Sequence, residues 1–237
     1  MNSITAQLEN TLSYYQAQSY TTQAKRAYDV LLELIAQGMF SETKIYTEEE
    51  LGNILRIGRT PLREALKLLE FDAVIKIVPR LGIQMQACRL EEYLLEVEVR
   101  VALENVVMRR ACLLATDSHR QQLTALNEQF AHMVKSGDNL GLYRVDCKIH
   151  AAIDESSKNP YAVRALAPLR FYEQRVHYLL SNVYPEIGLN LNRAHIAYVD
   201  AIICKQENAA CKHFGDMIDE TTKLVRKHVA ANMGILF

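Results

Sequence analysis

Apolar residues recur at three- and four-residue steps over most of the chain, a spacing that predicts a mostly helical protein. Three short helices are predicted near the start. The first covers Thr22–Gln37. The second follows Thr47, which forms a capping box with Glu50 three residues later. The third takes Thr60 as its N-cap and has Pro61 at the first helical position, where the missing N–H has no cost.

The hydrophobic period changes after the third helix. Val74–Val78 is rich in β-branched residues, 79–82 has turn chemistry, and Ile83–Met85 resumes an extended run, so a small β-hairpin is predicted. In the first part of the chain, apolar residues at positions 4, 8 and 12 indicate an additional amphipathic helix. Helical spacing returns after the hairpin and predicts long helices at Leu90–Ala115, Ser118–Lys135, Asn139–Glu155, Tyr161–Ser181, Leu191–Lys205 and Glu207–Ala231.

These elements predict a mostly α protein with two domains. A winged helix-turn-helix of three helices and a β-hairpin is expected at 22–88, with the helix-turn-helix at 47–69 and the wing at 74–86. An all-helical bundle is expected at 89–237, and residues 1–21 are an N-terminal extension. A chain of 237 residues with 49% hydrophobic and 23% charged residues is a globular sequence that can bury a sizeable core.

The sequence lacks the segments that direct a protein to or through a membrane. No stretch approaches the roughly 18 unbroken apolar residues that a membrane span needs. The N-terminus lacks the basic and apolar regions of a signal peptide. The five cysteines are an odd number, widely spread and without a CxxC pair, which argues against a disulfide scaffold and a zinc finger. We therefore expect reduced thiols and a cytoplasmic location.

Positive charge is concentrated in one short region. The net charge of −1 gives no global basic field. Between Arg56 and Arg80, however, six basic side chains face only three acidic ones. Phosphate contacts are made one side chain at a time, so a patch of this size is enough to bind DNA. The alternative is a small helical domain whose basic face is simply solvated.

A winged helix-turn-helix reads DNA by placing its second helix in the major groove. Arg59 and Arg63 stand at the start of that helix, and arginine is the side chain best suited to guanine O6 and N7. Thr60 and the free backbone N–H groups of the helix start can bind a phosphate, and the hairpin tip can reach a neighbouring groove. The predicted DNA-contacting residues are Arg56, Arg59, Thr60, Arg63, Arg80 and Gly82.

Residues 24–86 resemble the DNA-binding domain of GntR-type transcription regulators. That family has the pattern Ser-Arg-Thr-Pro-Val-Arg-Glu-Ala-Leu, and residues 58–66 read Gly-Arg-Thr-Pro-Leu-Arg-Glu-Ala-Leu. The segment departs from the family at Gly52, which replaces an alanine, and at 71–73, where Phe-Asp-Ala replaces a Glu-Gly pair. Glu49 stands where some relatives carry a DNA-contacting arginine. The resemblance implies operator binding, with a sequence preference that differs from those relatives.

The helical remainder, 90–231, resembles the FadR-like subgroup with an FCD effector domain. Three motifs carry this resemblance: Arg100-Val-Ala-Leu-Glu104, Asp146-Cys-Lys-Ile-His150 followed by Ser-Lys-Asn at 157–159, and His195-Ile-Ala-Tyr-Val-Asp-Ala-Ile. It implies a divalent metal bound by an aspartate and histidines from different helices, and an effector that is often a small carboxylate. Asp146, His150 and His195 are the implied ligands. The fourth family ligand falls on Met217, and His213 lies one turn earlier on the same face.

The residues themselves allow the same chemistry. Asp146 and His150 are four residues apart and share a helix face. A carboxylate with imidazole suits zinc, nickel or manganese, and the alternative is a salt-bridged polar pair. Arg100 is predicted to bind an effector carboxylate through its two-pronged guanidinium, the alternative being an intrahelical ion pair with Glu104.

The sequence therefore predicts a regulator rather than an enzyme. We expect a homodimer whose two winged domains read a pseudo-palindrome in double-stranded DNA, and whose helical domains dimerise and sense a small molecule. A metal-free regulator for a larger acyl ligand is one alternative. A metalloenzyme built on the helical bundle is the other, but the sequence has no second carboxylate placed as a general base and no nucleophile motif.

Overall fold

The computed structural model describes residues 2–184 and 188–233 of the chain. The chain divides into two compact units, Met1–Arg89 with Arg170–Tyr178, and Leu90–Leu169 with Leu179–Phe237. The predicted fold class is confirmed: a winged helix-turn-helix with a small sheet is followed by an all-helical region. The finer domain boundaries at 21/22 and 88/89 stay predictions.

The first unit contains four helices and a three-stranded sheet in its described residues. Its elements are α1 (Asn2–Ala17), α2 (Gln23–Ala36), β1 (Ile45–Tyr46), α3 (Glu48–Leu55), α4 (Arg59–Phe71), β2 (Ile75–Val78) and β3 (Gly82–Met85). The antiparallel sheet has the order β1-β3-β2. The capping box predicted between Thr47 and Glu50 is present at the start of α3. A core of leucines and β-branched residues joins α2, α4 and the sheet.

One local expectation was wrong, and one strand was not predicted. Helix α4 begins at Arg59 with Gly58 as its N-cap, and Thr60 is not the cap. Pro61 still fits, because the N–H groups of the whole first turn lack intrahelical partners and a proline there loses nothing. The hairpin also gains a third strand, since β1 pairs with β3 through Tyr46 and Ile83. A two-residue strand carries no alternation that a sequence pattern can reveal.

Glycine is required where the wing returns to the sheet. Gly82 has a φ of +136°, and a Cβ at this position would overlap the carbonyl oxygen of Tyr46 in β1. The preceding turn is closed by the Leu81 N–H, which donates to the Val78 carbonyl at 3.0 Å, and Arg80 is left-handed with a φ of 66°. The side chains at 80 and 81 are exposed at the tip of the wing.

Helix α1 lies on α2 around a buried carboxylate. Glu33 of α2 is fully buried, and its Oε1 accepts hydrogen bonds from the Thr11 hydroxyl at 2.9 Å and the Gln37 amide at 3.0 Å. Its Oε2 accepts from the Tyr15 hydroxyl at 2.9 Å. Thr11 is itself fully buried. The N-terminal extension is therefore helical and integrated into the first unit.

The second unit is built from long helices. They are α5 (Leu90–Leu114), α6 (Asp117–Ser136), α7 (Asn139–Ser157), α8 (Pro160–Val183), α9 (Gly188–Ile203) and α10 (Glu207–Met233), and the middle of α8 groups with the first unit. Gly137 ends α6 in a left-handed conformation, and Asn159 caps α8 ahead of Pro160. Helix α7 packs on α5 and α6, and α9 packs on α5, α6 and α10. Among the described helices none is both long and apolar enough to span a bilayer.

Candidate functional site

The start of α4 presents an exposed basic surface. Arg59 and Arg63 are both exposed, and so is Thr60 between them. The Arg63 Nε donates to Glu48 Oε2 of α3 at 2.7 Å, in an ion pair that is open to solvent on both sides. Because exposed pairs of this kind contribute little free energy, Arg63 can exchange Glu48 for a base or a phosphate at small cost.

The remaining predicted DNA contacts lie in the turn and the wing. Arg56 adopts a left-handed conformation with a φ of 54° as the C-cap of α3, and its exposed guanidinium is ion-paired with Glu9 of α1. Arg80 is exposed at the wing tip, whereas Gly82 is half-buried against β1. The acidic partners, Glu9 and Glu48, were not predicted. No signal in the sequence links Glu9 to a residue 47 positions away.

The three predicted metal ligands come together between α7 and α9. Asp146 and His150 share one face of α7, as their spacing predicts, and His195 on α9 reaches the same point. His195 Nε2 lies 2.7 Å from Asp146 Oδ1, and His150 Nε2 lies 3.6 Å from the same oxygen. All three ligand atoms lie within 4.8 Å of one another.

This donor set fits a divalent ion. Two imidazoles with one carboxylate are a common set for first-row metals. Atoms bound at about 2.0–2.2 Å to a tetrahedral ion lie roughly 3.3–3.6 Å apart. The separation of His150 Nε2 from Asp146 Oδ1, 3.6 Å, matches this spacing, whereas His195 Nε2 and Asp146 Oδ1, at 2.7 Å, are at hydrogen-bond distance. The Nδ1 atoms of His150 and His195 are buried, and no described group forms a hydrogen bond with either. The ring of His195 is held instead by Phe130, which stacks on it at 4.1 Å and 14°.

A tyrosine that the sequence analysis did not select is part of this cluster. Tyr198 is one turn after His195 on α9 and is 1% exposed. Its hydroxyl lies 3.1 Å from His195 Nε2, and its ring meets the imidazole edge-on at 4.8 Å. The three-residue spacing from His195 was the available signal, but that spacing is also typical of ordinary core tyrosines.

Arg100 is buried next to the same aromatic residues. It is 1% exposed, and its Nε lies 3.5 Å from Glu96 Oε1, one turn earlier on α5. The guanidinium also lies 5.8 Å from the ring centroid of Phe214, whose ring contacts Tyr198 edge-on at 5.8 Å. Two aromatic side chains, Phe214 and Tyr198, therefore connect Arg100 to His195. Glu104, the predicted partner, is also buried.

The structure leaves His213 outside the cluster. Within the described part of the chain, the group of ligand atoms contains Asp146, His150 and His195 and no fourth histidine. His213 and Met217 are both half-buried on α10, and the Met217 carbonyl accepts a hydrogen bond from the Thr221 hydroxyl. A third imidazole is not part of this centre.

Two family models match the chain. The model of the bacterial regulatory proteins of the gntR family matches residues 23–84, and the FCD domain model matches 96–220, which is more than half of the chain. The chain belongs to the GntR family of regulators with an FCD domain. The predicted resemblance is thus confirmed, and this GntR regulator binds DNA and controls transcription.

Curated relatives agree with this assignment. The chain is 28% identical over 220 residues to the HTH-type transcriptional regulator YieP of Escherichia coli, which covers 83% of this chain and 94% of the relative. It is 22% identical over 192 residues to YdhC of Bacillus subtilis, with 78% and 83% covered. Both are described as transcriptional regulators, which confirms the prediction of a regulator rather than an enzyme.

Solved structures share the fold. The structure of McbR/YncC of Escherichia coli matches with a TM-score of 0.75 at 16% identity, covering 89% of this chain and all of that one. A GntR family member from Pseudomonas syringae matches with a TM-score of 0.51 at 15% identity, covering 98% of each chain. These likenesses support the architecture of the GntR regulator.

Proposed function

We propose that this GntR regulator is a homodimer that reads a pseudo-palindromic operator under the control of a small carboxylate bound at a metal centre. The observation that carries the proposal is the cluster of half-buried Asp146 and His150 with buried His195, which is linked through aromatic side chains to the buried Arg100. To bind an operator, the protein must be in the compartment that contains the DNA. We therefore propose a cytoplasmic location for the protein.

The metal-binding residues are Asp146, His150 and His195, and zinc, nickel or manganese suits them. When bound, the ion supplies a Lewis-acidic position that can accept a carboxylate oxygen. The protein holds the ligand side chains in a fixed orientation. Phe130 fixes the plane of His195, and the backbone of α7 fixes the spacing between Asp146 and His150. Since neither Nδ1 has a described partner, we expect weaker binding than at a fully supported histidine site.

Arg100 supplies the second anchor for the effector. A buried guanidinium is a strong anion-binding group because it is always charged and is poorly compensated by solvent. Its Nε lies 3.5 Å from Glu96 Oε1, and a ligand carboxylate would have to join or replace the acidic partners of Arg100. Effector binding then changes operator affinity only to the extent that the ligand prefers one arrangement of the DNA-binding domains over another.

A stripe of exposed residues on α5 supports the homodimer. Positions 95, 99, 102, 106 and 113 are exposed and apolar, and their steps of four, three, four and seven follow the heptad spacing of a coiled-coil seam. Leu95 is 73% and Leu113 is 76% exposed. From position 95 to position 113 the stripe extends about 27 Å along the helix. We propose that a second copy covers this α5 stripe.

Metal analysis tests the centre. Protein purified without a chelator or a nickel column should carry or take up about one divalent ion per chain, whereas Asp146→Asn and His195→Ala should not. His213→Ala is the matched control and should retain the ion. Equal, near-zero metal in all four proteins after zinc or manganese is added would contradict the proposal and favour the metal-free alternative with a larger acyl ligand.

A panel of small carboxylates tests the effector. In thermal denaturation of the metal-loaded protein, a ligand present at 100 times its dissociation constant stabilises by about 2.7 kcal/mol, which for a chain of this size raises the Tm by roughly 5–11 °C. Arg100→Gln should lose this shift. The active compound should then change the affinity for an operator selected from a random duplex pool. A panel without any Arg100-dependent shift contradicts the carboxylate assignment.

Light scattering tests the dimer. Wild-type protein at micromolar concentration should have twice the chain mass, and Val106→Asp in the α5 stripe should yield monomers. Phe71→Asp, at an exposed apolar residue of α4, is the control and should leave the mass unchanged. A wild-type monomer, or a Val106→Asp dimer, would contradict the proposed surface.

A further inference from the structure

The cluster between α7 and α9 contains one more oxygen than the predicted ligand set. Asp146 Oδ1 and the Tyr198 hydroxyl oxygen lie 2.7 Å and 3.1 Å from the same atom, His195 Nε2. A ring nitrogen has a single in-plane bonding position, occupied either by a proton or by a lone pair. Nε2 cannot donate fully to the carboxylate and also accept fully from the hydroxyl. The Tyr198 oxygen lies beside a predicted ligand atom, and their separation of 3.1 Å is near the roughly 3.3–3.6 Å expected between two ligands of one tetrahedral ion.

We propose that the Tyr198 hydroxyl oxygen is the fourth protein ligand of the divalent ion held by Asp146, His150 and His195. The inference rests on the proposed metal centre and names the group that completes it. Among the residues that the structure describes, no third imidazole belongs to the cluster, and His213 lies outside it. The tyrosine oxygen provides a hard donor at the same point, and protein metals accept such donors, as the tyrosine ligand of some haem irons shows.

Packing holds the phenol in this position. Tyr198 is 1% exposed, and the ring of Phe214 meets it edge-on at 5.8 Å. Tyr198 and His195 lie three residues apart on α9, so their side chains project from the same face of the helix. The ring therefore needs no rearrangement of the fold to present its oxygen beside Nε2. Phe214 also contacts the Arg100 guanidinium, so the tyrosine connects the metal ligands to the effector anchor.

The assignment has a consequence for effector binding. If Tyr198 completes a set of four protein ligands, an effector carboxylate would have to join them or take the place of one of them. A phenol oxygen is the most readily displaced of these donors. We expect the effector to compete with Tyr198, so that Tyr198→Phe binds the ion more weakly while its metal-loaded form still accepts the carboxylate.

Tyr198→Phe removes only the oxygen and retains the ring against Phe214. Zinc affinity, measured by competition with a chromophoric chelator, should fall about 10- to 100-fold. Tyr161→Phe is the matched control, because Tyr161 is 77% exposed on α8, and it should bind zinc as the wild type does. Circular dichroism and light scattering should be the same for all three proteins.

A spectroscopic signature separates a ligand from a neighbour. Loading with iron(II) under argon and oxidising it in place to iron(III) should give a visible tyrosinate-to-iron charge-transfer band in the wild type and in Tyr161→Phe, but not in Tyr198→Phe. Resonance Raman excitation of that band should enhance phenolate vibrations in the wild type, a measurement that needs no variant. A tyrosine that only hydrogen-bonds His195 would lower affinity without producing the band.

The outcomes distinguish this inference from the proposed function. Wild-type protein that binds no ion overturns both the metal centre and its fourth ligand. Wild-type protein that binds zinc but shows no band with iron(III) overturns the tyrosine ligand alone and leaves the three-residue centre intact, whether or not Tyr198→Phe binds zinc more weakly.

Discussion

Removing a donor to the buried carboxylate of Glu33 should loosen α1 from α2. Thr11→Val deletes the hydroxyl that donates to Oε1 at 2.9 Å, and Tyr15→Phe deletes the donor to Oε2 at the same distance. Glu33 is fully buried, so water does not easily replace either donor. A hydrogen bond to a charged group contributes about 1.5–3 kcal/mol to stability. Thr11→Val should cost less than Tyr15→Phe, because Gln37 still donates to Oε1.

Amide hydrogen exchange read by mass spectrometry measures this effect in the full chain. A loss of about 1.5–3 kcal/mol corresponds to exchange that is roughly 10- to 150-fold faster in peptides from α1 and α2. Peptides from α5 to α10 should be unchanged. Ser13→Ala, at an exposed position of α1, is the control. Exchange in Thr11→Val and Tyr15→Phe within threefold of Ser13→Ala would refute the reasoning. The double variant should cost less than the sum, since the two donors share one carboxylate.

Arg59→Ala and Arg63→Ala should each lose about 1–3 kcal/mol of specific operator binding, or roughly 5- to 150-fold in Kd, with unchanged circular dichroism; wild-type gel shifts would contradict the assignment. Glu48→Gln should tighten binding by up to about fivefold, because it frees Arg63 from an exposed ion pair; weaker binding would show that Glu48 orients Arg63 instead. Burial raises the pKa of the Cys112 thiol to about 11, so iodoacetamide at pH 7.5 should modify exposed Cys204 long before Cys112; equal labelling by mass spectrometry would contradict this burial.

Local patterns predicted the elements of the fold. Periodic apolar residues and caps such as Thr47 with Glu50 are consequences of neighbouring positions, so the sequence displays them directly. The six long helices of the second half lie within a few residues of their predicted bounds. The short strand β1 was missed because it depends on β3, a partner elsewhere in the chain. The start of α4 was missed because its N-cap, Gly58, has no side chain to signal a cap.

The candidate site likewise combines residues that local sequence patterns predict with residues that only the folded chain brings together. The pairing of Asp146 with His150 follows from helix geometry, and the family motif supplied His195. Tyr198 was not selected because nothing local separates a tyrosine at a metal from a tyrosine in a core. The ion pairs of Arg56 with Glu9 and of Arg63 with Glu48 join residues 47 and 15 positions apart, and only the folded chain brings them together.

The geometry of the wing divides it into a variable part and a fixed part for anyone who wishes to redirect this regulator to a new DNA sequence. The side chains at 80 and 81 project into solvent and can be randomised in a library without touching the sheet. Gly82 cannot be randomised, because any side chain there would overlap the Tyr46 carbonyl and separate β1 from β3. A library that includes position 82 would select mainly for folding, whereas one confined to the two tip residues would select for recognition.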